Sequence, residues 1–478
     1  RLNTTVPLAK WKDGDFSGLK YSNGRPITLY DPLTTQPDGK GGYTREAFPG
    51  NRIPQGRFDP VARNALSYWP EPNRPSINPY AEVSNFFETA TNVVDSSNLT
   101  VRVDHNITSA WRTYGRFNRA PITSQPIDWF GNQSKWAEGV DMPRYSAVWD
   151  NTITLGTRSI LNFRYGFSRF RRDRVAAEQG FDPTALGFPA YLAAQGAQDL
   201  RVARQFTTIS PGGVVALGGG GSARWIPNTH VVNASLTHVL SKHTLKAGVE
   251  FRKFLHNHYR NGDGFANGKF SFGSQWTQRD PARGNVTEGF GFASFLLGLG
   301  SGSQGNGLAV AMESHYYGTY LQDDYRVTRK LTLNLGLRYE LDTPRTERYN
   351  RLGYFDLSAP SPIAGQVPQF PNLVGAMNFT DANHRRQTPT DTNNFGPHFG
   401  FAYQLDAKTV LRGGYALMYD ASPMQVAFHD AGFPGFWATT NMITSLDGRT
   451  PLHYLRDPFP DGFRKVLGPL PGPTSDAF

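Results

Sequence analysis

The sequence predicts an all-β protein, an antiparallel up-and-down transmembrane β-barrel with about ten long strands in hairpins, short periplasmic turns and long extracellular loops. Three observations support this fold class. Apolar and polar residues alternate over long stretches, which indicates strands whose two faces meet different surroundings. These stretches come in pairs, with short turns inside each pair and long segments between pairs. Aromatic residues form 13% of the chain, as expected for girdles at two membrane interfaces.

The stretch LTLNLGLRYE, Leu331 to Glu340, shows the alternation most clearly, because apolar or aromatic side chains occupy every odd position. Ordinary strands run about 5–6 residues, whereas a tilted strand that crosses a bilayer needs about 9–11. We therefore expect the odd face of this stretch to meet lipid and the even face to meet an aqueous or plugged lumen.

The same alternation predicts five hairpins along the chain. The paired strands are Asn98–Asn106 with Trp111–Arg119, Arg144–Leu155 with Ser159–Phe170, Thr229–Leu240 with Thr244–Phe254, His315–Val327 with Leu331–Glu340, and Phe395–Leu405 with Thr409–Asp420. Long segments separate the hairpins, at 120–143, 171–228, 256–314 and 342–394. Short turns at one end and long loops at the other are typical of an outer-membrane barrel. A further strand is expected within Gly268–Trp276.

The chain divides by pattern into three parts: a long extracellular loop region at 1–97, partial barrel hairpins at 98–420, and a loop with the start of further strands at 421–478. The first part lacks a sustained period. Its best candidate for an ordered element is a short helix within Phe58–Trp69, where Asp59 can cap the helix and Pro60 can occupy its first position. Neither end resembles a natural terminus, so we expect a fragment.

Composition excludes several classes of protein. Hydrophobic residues form only 38%, and the longest apolar run, Phe292–Gly300, is far shorter than the ~18 residues of a membrane-spanning helix. The absence of Cys excludes disulfides and thiolate metal sites. Net charge is +10, but apart from Ser168–Arg174 and Asn383–Arg386 the basic residues are scattered, so we expect no nucleic-acid partner.

Motifs for catalysis are missing. The sequence contains no HExxH, no GxSxG and no GxxxxGK[ST], so we predict no enzyme activity and no cofactor. Asn261 and Asp263 offer two oxygens but not the full ligand series of a calcium loop, which favours a glycine-rich turn. His256 and His258 share a face at a strand end, where we expect interfacial polar surface rather than a metal site.

The best candidates for function are charged residues predicted to face the lumen. They are Arg102, Asp104, Arg112, Arg116, Arg164, Lys246, Glu250, Arg252, Arg338, Glu340 and Arg412. One interpretation is a solvated, salt-bridged barrel wall that docks a plug. The other is an arginine-rich lumen that attracts anionic ligands through its summed field.

Three stretches of the sequence resemble a known family. YYGTYLQDDYRVTRKLTLNLGLRYE, HTLKAGVEFRKF and NNFGPHFGFAYQLDAKTVLRGGYALMYD resemble the barrel of TonB-dependent outer-membrane receptors. The resemblance is to the Oar-like branch, which carries an N-terminal carboxypeptidase-regulatory-like domain. FPGNRIPQGRFDPVARNALSYWPEPN is similar to the long first extracellular loop of that branch. The resemblance covers about residues 25 to 420, and the QDD at Gln322–Asp324 is its most specific part.

The resemblance implies a 22-stranded barrel closed by a plug, in the bacterial outer membrane, that imports scarce ligands with energy from TonB. The TonB system would act through an N-terminal plug region that this sequence lacks, and ten strands would leave the barrel incomplete. The expected partners are outer-membrane lipid and an unidentified ligand of the siderophore, oligosaccharide or peptide class. Two alternatives stay open: a passive porin-like channel and a soluble secreted all-β binding domain.

Overall fold

A long antiparallel meander organises the chain, as seen in a computed structural model that describes residues 1–175, 181–196, 206–219, 223–260, 267–305, 308–419, 435–436 and 438–469. The ten strands are β1 Leu99–Asn106, β2 Trp111–Arg119, β3 Arg144–Leu155, β4 Ser159–Phe170, β5 Ala223–Leu240, β6 His243–Arg260, β7 Leu308–Arg326, β8 Leu331–Asp342, β9 Asn394–Gln404 and β10 Val410–Ala416. Each strand pairs antiparallel with the next one in sequence. The five predicted hairpins and the up-and-down order are confirmed.

The sheet stays open over the described residues, since β1 and β10 form its two edges and do not pair with each other. A barrel removes its edges only when its first and last strands meet. The expectation of an incomplete barrel is therefore confirmed. No helix among the described residues is long and apolar enough to span a membrane.

Four strands are longer than predicted: β8 continues two residues further, to Asp342, and the other three are extended by six or seven residues. β5 and β6 each have 18 residues and pair along their whole length, and β7 has 19. The prediction started β5 at Thr229, yet the strand runs through Pro227, which stands opposite His256. Alternation between apolar and polar residues weakens in these extensions, so the lipid-facing pattern marks only part of each strand.

β10 is shorter than predicted and ends at Ala416; Asp420, the predicted end, lies outside the described residues. Leu417 still donates a hydrogen bond to the Pro397 carbonyl at 3.1 Å. Proline has no N–H to return the second bond of the pair, so the ladder stops there.

Four short strands continue the sheet beyond the long-loop ends of β1 to β4. They are Val94–Ser96, Ile122–Ser124, Gly139–Met142 and Arg172–Val175. Pro121 and Pro143 lie at two of the interruptions, where a missing N–H breaks the ladder. Thr346–Glu347 similarly pairs with the long-loop half of β7.

The two faces of the sheet differ in polarity. Residues that stand opposite each other on neighbouring strands lie on the same face of the sheet, so the register shows which face each side chain occupies. One face, here called the apolar face, carries exposed side chains such as Leu321 (59% exposed), Leu337 (50%) and Val249 (55%). Leu321 stands opposite Leu337 and Ala247 in the ladders. The other face, here called the polar face, carries the alternate residues, so β8 has the predicted division of its odd and even positions.

Described parts of three segments between hairpins, 120–143, 171–228 and 256–314, fold together with residues 1–97 and 438–469 around one hydrophobic cluster, here called the loop core. Its fully buried large side chains include Trp69, Phe16, Phe270, Phe292 and Leu192. The α-helices of this part of the chain are α1 Ala9–Lys12, α2 Pro60–Ala65, α3 Ala190–Gly196 and α4 Gly291–Leu296. Short 3₁₀ turns lie at Pro32–Thr34, Pro49–Asn51, Gln55–Arg57, Leu66–Tyr68, Pro183–Leu186 and Ser274–Thr277. A further 3₁₀ turn, Ala364–Gln366, lies in the β8–β9 segment. The loops are therefore a packed unit and not separate coils.

The predicted helix is confirmed as α2. Asp59 is its N-cap and accepts a hydrogen bond from the Val61 N–H at 2.9 Å, while Pro60 occupies the first helical position. Asp59 also accepts from the Arg456 N–H at 3.1 Å. The cap thus connects α2 to a segment near the end of the described chain.

Smaller sheets complete the fold. The expected strand within Gly268–Trp276 is present as Lys269–Phe272, but it lies outside the main sheet. It belongs to a four-stranded sheet with Thr208–Pro211, Ser301–Gly305 and Thr439–Asn441. The remaining two-stranded pairs are Leu2–Thr4 with Phe86–Glu88, Gln36–Pro37 with Tyr43–Thr44, Ile127–Asp128 with Trp136–Ala137, and Gly353–Pro360 with Val374–Phe379.

Candidate functional site

All eleven residues predicted to face a lumen lie on the polar face of the main sheet. The register also aligns several of them into a single row that crosses nine strands. In order from β1 to β9, the row is Asp104, Tyr114, Asp150, Arg164, Asn233, Glu250, Gly318, Glu340 and Asn394. Charged side chains from strands far apart in sequence therefore occupy one band, and ion pairs can form along it.

Arg338 is the centre of the larger ion cluster in this band. Its Nε donates to Glu340 Oε1 at 2.7 Å, and its Nη2 donates to Glu250 Oε2 at 3.2 Å. Nη2 also donates to the Tyr316 hydroxyl oxygen at 2.5 Å, and that hydroxyl donates to Glu340. Arg252 completes the cluster by donating to Glu250, with its guanidinium 4.9 Å from the centroid of the Tyr316 ring.

Two glycines make room for side chains in and beside this cluster, where the ring centroid of Tyr320 lies 5.9 Å from the Arg338 guanidinium carbon. A Cβ atom at Gly318 would lie 2.9 Å from Arg338 Nη2 and 2.9 Å from the Tyr316 hydroxyl oxygen. A Cβ atom at Gly248 would lie 2.6 Å from the ring of Tyr320. Glycine in a strand often marks such a close approach of neighbouring side chains. The cluster therefore depends on Gly318, which leaves space for Arg338 and Tyr316.

A second ion cluster lies at the β1 end of the band. Arg102 holds Asp104 with two hydrogen bonds of 2.7 Å, and its guanidinium lies 3.8 Å from the centroid of the Tyr114 ring. Arg164 donates from Nε to Asp150 Oδ2 at 2.6 Å. Bidentate and charge-assisted bonds of this kind are the stronger ones in proteins.

The other predicted residues are not drawn into these clusters. Within the described part of the chain, no ion pair is formed by Arg112, Arg116 or Arg412. The Nζ atom of Lys246 lies 5.9 Å from the centroid of the Tyr320 ring. The polar face thus combines neutralised pairs with cations that stay available to another partner.

A pocket of 680 Å³, which was not predicted from the sequence, lies above the band, towards the long loops. Its lining is mainly apolar and aromatic: Val94, Ile122, Ser124, Val140, Met142, Phe170, Arg172, Trp225, Pro227, His256 and His258. The indole of Trp225 stacks on His258, with centroids 5.4 Å apart and planes 15° apart. The guanidinium of Arg172 lies 5.3 Å from the Trp225 ring centroid.

The expectation that His256 and His258 form interfacial polar surface is wrong, because they are only 1% and 8% exposed. β5 and β6 extend past the membrane-like pattern, which buries both rings against Trp225, Pro227 and the far half of β7. Extending the alternation of β6 to Arg260 would have placed both histidines on the polar face. No group of three or more potential metal ligands occurs among the described residues. Asn261 and Asp263 lie outside them.

A family model described as an outer membrane beta barrel domain matches residues 1–477. A sequence comparison with curated proteins gives no match.

Solved structures that resemble this fold are distant. The open form of the ferric-catecholate import receptor Fiu from E. coli K12 has a TM-score of 0.36 and 12% identity over 74% of this chain and 50% of its own. The outer membrane transporter YddB from Escherichia coli has a TM-score of 0.35 and 9% identity over 72% and 42%. The siderophore receptor PiuA from Acinetobacter baumannii has a TM-score of 0.35 and 9% identity over 69% and 42%. The chain spans half or less of the length of these proteins.

Proposed function

Because this chain belongs to the outer membrane beta barrel domain family, and is thus a β-barrel protein of the bacterial outer membrane, we propose that it forms part of a receptor that imports a ligand. The proposal includes coupling to TonB through a plug region and membership of the Oar-like branch, as the sequence resemblance implies. The ligand would be of the siderophore, oligosaccharide or peptide class, and no catalytic step is involved.

The loop core is the observation that carries this proposal. A passive channel needs loops only to border its opening, whereas here three of the long segments and residues 1–97 share a buried cluster that includes Trp69, Phe270 and Phe292. Loops held in place by a rigid scaffold are where proteins build binding surfaces. A folded unit on the long-loop side therefore supports capture of a specific ligand.

The polar face supports the second half of the proposal, in which it lines the lumen. Its ion clusters around Arg338 and Arg164 neutralise their own charges, which suits a stable wall. The exposed Arg112, Arg116 and Arg412 remain to contact a plug or to attract an anionic ligand. The pocket beside Trp225 lies between these cations and the long loops, where a captured ligand would pass.

We also propose the three-part division of the chain given by its pattern. Residues 1–97 would contribute to the extracellular side, 98–420 to the barrel wall, and 421–478 to a loop that leads towards further strands. In support, residues 1–97 pack into the loop core. They supply none of the ten long strands, although the short strand Val94–Ser96 precedes β1. In the last part, the described strand Thr439–Asn441 joins the four-stranded sheet of the loop side.

An uptake experiment with the whole protein tests this proposal against the porin alternative. Cells that express it would be compared with cells that lack TonB, using panels of ferric siderophores, oligosaccharides and peptides. A receptor gives saturable uptake of one class that disappears without TonB. In parallel, the purified protein would be placed in liposomes with small sugars outside. Rapid swelling without an energy source would indicate a passive channel and contradict the proposal.

A further inference from the structure

The short turns carry a series of cations at matching positions. The residue immediately before the second strand of a hairpin is Arg158 in the β3–β4 turn, Lys242 in the β5–β6 turn and Lys330 in the β7–β8 turn. The β9–β10 turn supplies Lys408. We call these four side chains the basic rim. All four are exposed.

Backbone hydrogen bonds fix three members of the rim at the same height. The backbone carbonyl of each of these three residues accepts a hydrogen bond of 2.8 Å from an N–H of the next hairpin. The donors are Val239 for Arg158, Arg326 for Lys242 and Gln404 for Lys330. In the first hairpin Ala110 has this position and accepts from Thr154 at 2.7 Å. Neighbouring strands are about 4.8 Å apart, so cations on successive hairpins are spaced by about 10 Å along the edge.

No ion pair within the described residues neutralises the rim. Carboxylates close to the rim in sequence or register are engaged with other groups, and Asp324 accepts a hydrogen bond from Asn334 at 2.6 Å. Asp406 accepts a hydrogen bond from the Lys408 N–H at 2.7 Å, and Asp323 lies 2.7 Å from His243 Nδ1. Arg329, also exposed, adds a further cation beside Lys330.

Exposed leucines stand next to the rim on the apolar face. Leu155 ends β3, Leu240 ends β5 and Leu405 follows β9, each within a few residues of a rim cation. Apolar side chains directly above a line of cations match a molecule with an acyl chain above a negative headgroup. A free anion such as phosphate would use the cations but not the leucines.

We propose that the basic rim binds the headgroup phosphates of anionic phospholipids in the periplasmic leaflet of the outer membrane. Short turns of barrels in this family face the periplasm, so the rim lies at the level of those headgroups. Basic side chains beside a membrane are attracted to anionic lipid, and the attraction falls within a screening length of about 8 Å. This inference depends on the barrel's orientation and not on the proposed import of a ligand.

Lipid binding to the whole protein in detergent tests the proposal by native mass spectrometry. The probes are short-chain phosphatidylglycerol, short-chain phosphatidylcholine and inorganic phosphate. The test variant carries Arg158→Gln, Lys242→Gln and Lys330→Gln. A matched control removes three exposed cations of the long-loop side, with Lys20→Gln, Arg25→Gln and Lys40→Gln. A conservative variant carries Arg158→Lys, Lys242→Arg and Lys330→Arg, and heat-modifiable migration on gels reports folding of each protein.

We expect phosphatidylglycerol to bind more tightly than phosphatidylcholine, with about a fivefold loss of affinity for each cation removed. The control and the conservative variant should keep the wild-type preference. Equal binding of the two lipids, or an unchanged preference in the rim variant, would overturn the proposal. Inorganic phosphate that displaces phosphatidylglycerol at equal concentration would show a free-anion site instead. If the triple variant fails to fold, the single variants give the same comparison one cation at a time.

Discussion

Arg338 and Glu250 form an ion pair over the top of a strand that separates them. Arg338 lies on β8 and Glu250 on β6, and the 3.2 Å bond from Nη2 to Oε2 crosses β7 at Gly318. Side chains two strands apart seldom touch, because the residue between them normally fills the space. Here the residue between them is Gly318, which has no side chain, so the ion pair depends on a glycine at this position.

Gly318→Ala should therefore weaken the Arg338 cluster. The added methyl would need the space that Arg338 Nη2 and the Tyr316 hydroxyl now occupy, at a cost of about 1–3 kcal/mol in the free energy of unfolding. Urea unfolding of the whole protein in lipid vesicles measures the change. Gly336→Ala is the matched control on the same face, since a Cβ atom there meets its nearest neighbour at an ordinary 3.5 Å. Equal stability of the two variants would contradict the role given to Gly318.

Leu337→Arg should impair assembly of the barrel. Leu337 is exposed on the apolar face opposite Leu321, and an arginine on the lipid face of such a barrel costs about 2–4 kcal/mol at the midplane. The fraction of heat-modifiable folded protein in outer membranes measures the effect. Asn334→Arg on the polar face is the control, because the new side chain can donate to Asp324, as Asn334 does at 2.6 Å. Leu335 is a poorer test, since Asp323 stands opposite it and could pair with an arginine.

Arg45→Met should loosen the loop core. The Arg45 side chain is buried, and its Nη1 donates to the carbonyls of Gln275, Trp276 and Gln278 at 3.0–3.2 Å. Burial lowers the pKa of Arg45 to about 10, so the side chain is still charged at neutral pH. Loss of the donors leaves buried carbonyls unsatisfied, at about 1–3 kcal/mol for each group.

Limited proteolysis of intact cells measures this change as faster cleavage of the loops. Arg63→Met is a suitable control, because Arg63 is exposed and donates to a single carbonyl, that of Gln55. Identical cleavage rates for the two variants would show that Arg45 does not hold the unit together.

Asp31 should make the stability of the loop core depend on acid pH. Burial raises the pKa of Asp31, but hydrogen bonds from Arg57 and the Leu33 N–H outweigh it, so the pKa lies below its ordinary value of 3.8. A carboxyl with a lowered folded pKa stabilises the fold above about pH 3.8, and this contribution disappears as the pH falls below that value.

Asp31→Asn should therefore cost about 1 kcal/mol at pH 6 and nothing at strongly acidic pH. Tryptophan fluorescence during urea unfolding follows the loop core, which contains Trp11, Trp69 and Trp276. A difference between variant and wild type that stays constant from pH 6 to pH 2.5 would contradict the assignment.

The two ends of the sheet should be on opposite sides of the membrane. The chain has no cysteine, so single substitutions Gly365→Cys in the β8–β9 segment and Ala407→Cys in the β9–β10 turn each create a unique label site. On intact cells a membrane-impermeant maleimide should label the first and not the second. Labelling at Ala407→Cys alone would mean that the barrel has the reverse orientation.

The strands were predictable because lipid imposes a strict alternation on one face, and this signal is local. β3 and β4 were predicted with the bounds that the structure shows, and α2 was predicted from Asp59 and Pro60. The loop core was not predictable. Its apolar residues, such as Phe16, Leu192 and Phe459, come from distant segments and have no common period. The ion pairs of Arg338 could not be predicted, because they depend on the register of β6, β7 and β8. The alternation of apolar and polar residues shows only which face each side chain occupies.

The hydrogen bond between Asp59 and Arg456 has a consequence for the order of events during biogenesis. Its partners are 397 residues apart, and the loop core draws on segments that connect separate hairpins. In the proposed orientation, with the long loops outside the cell, the loop core cannot close until the last of these segments has crossed the membrane. Until then its phenylalanines and tryptophans have no permanent partners, so in this orientation the chain would need protection through export, and the loop core would be the last part of the protein to mature.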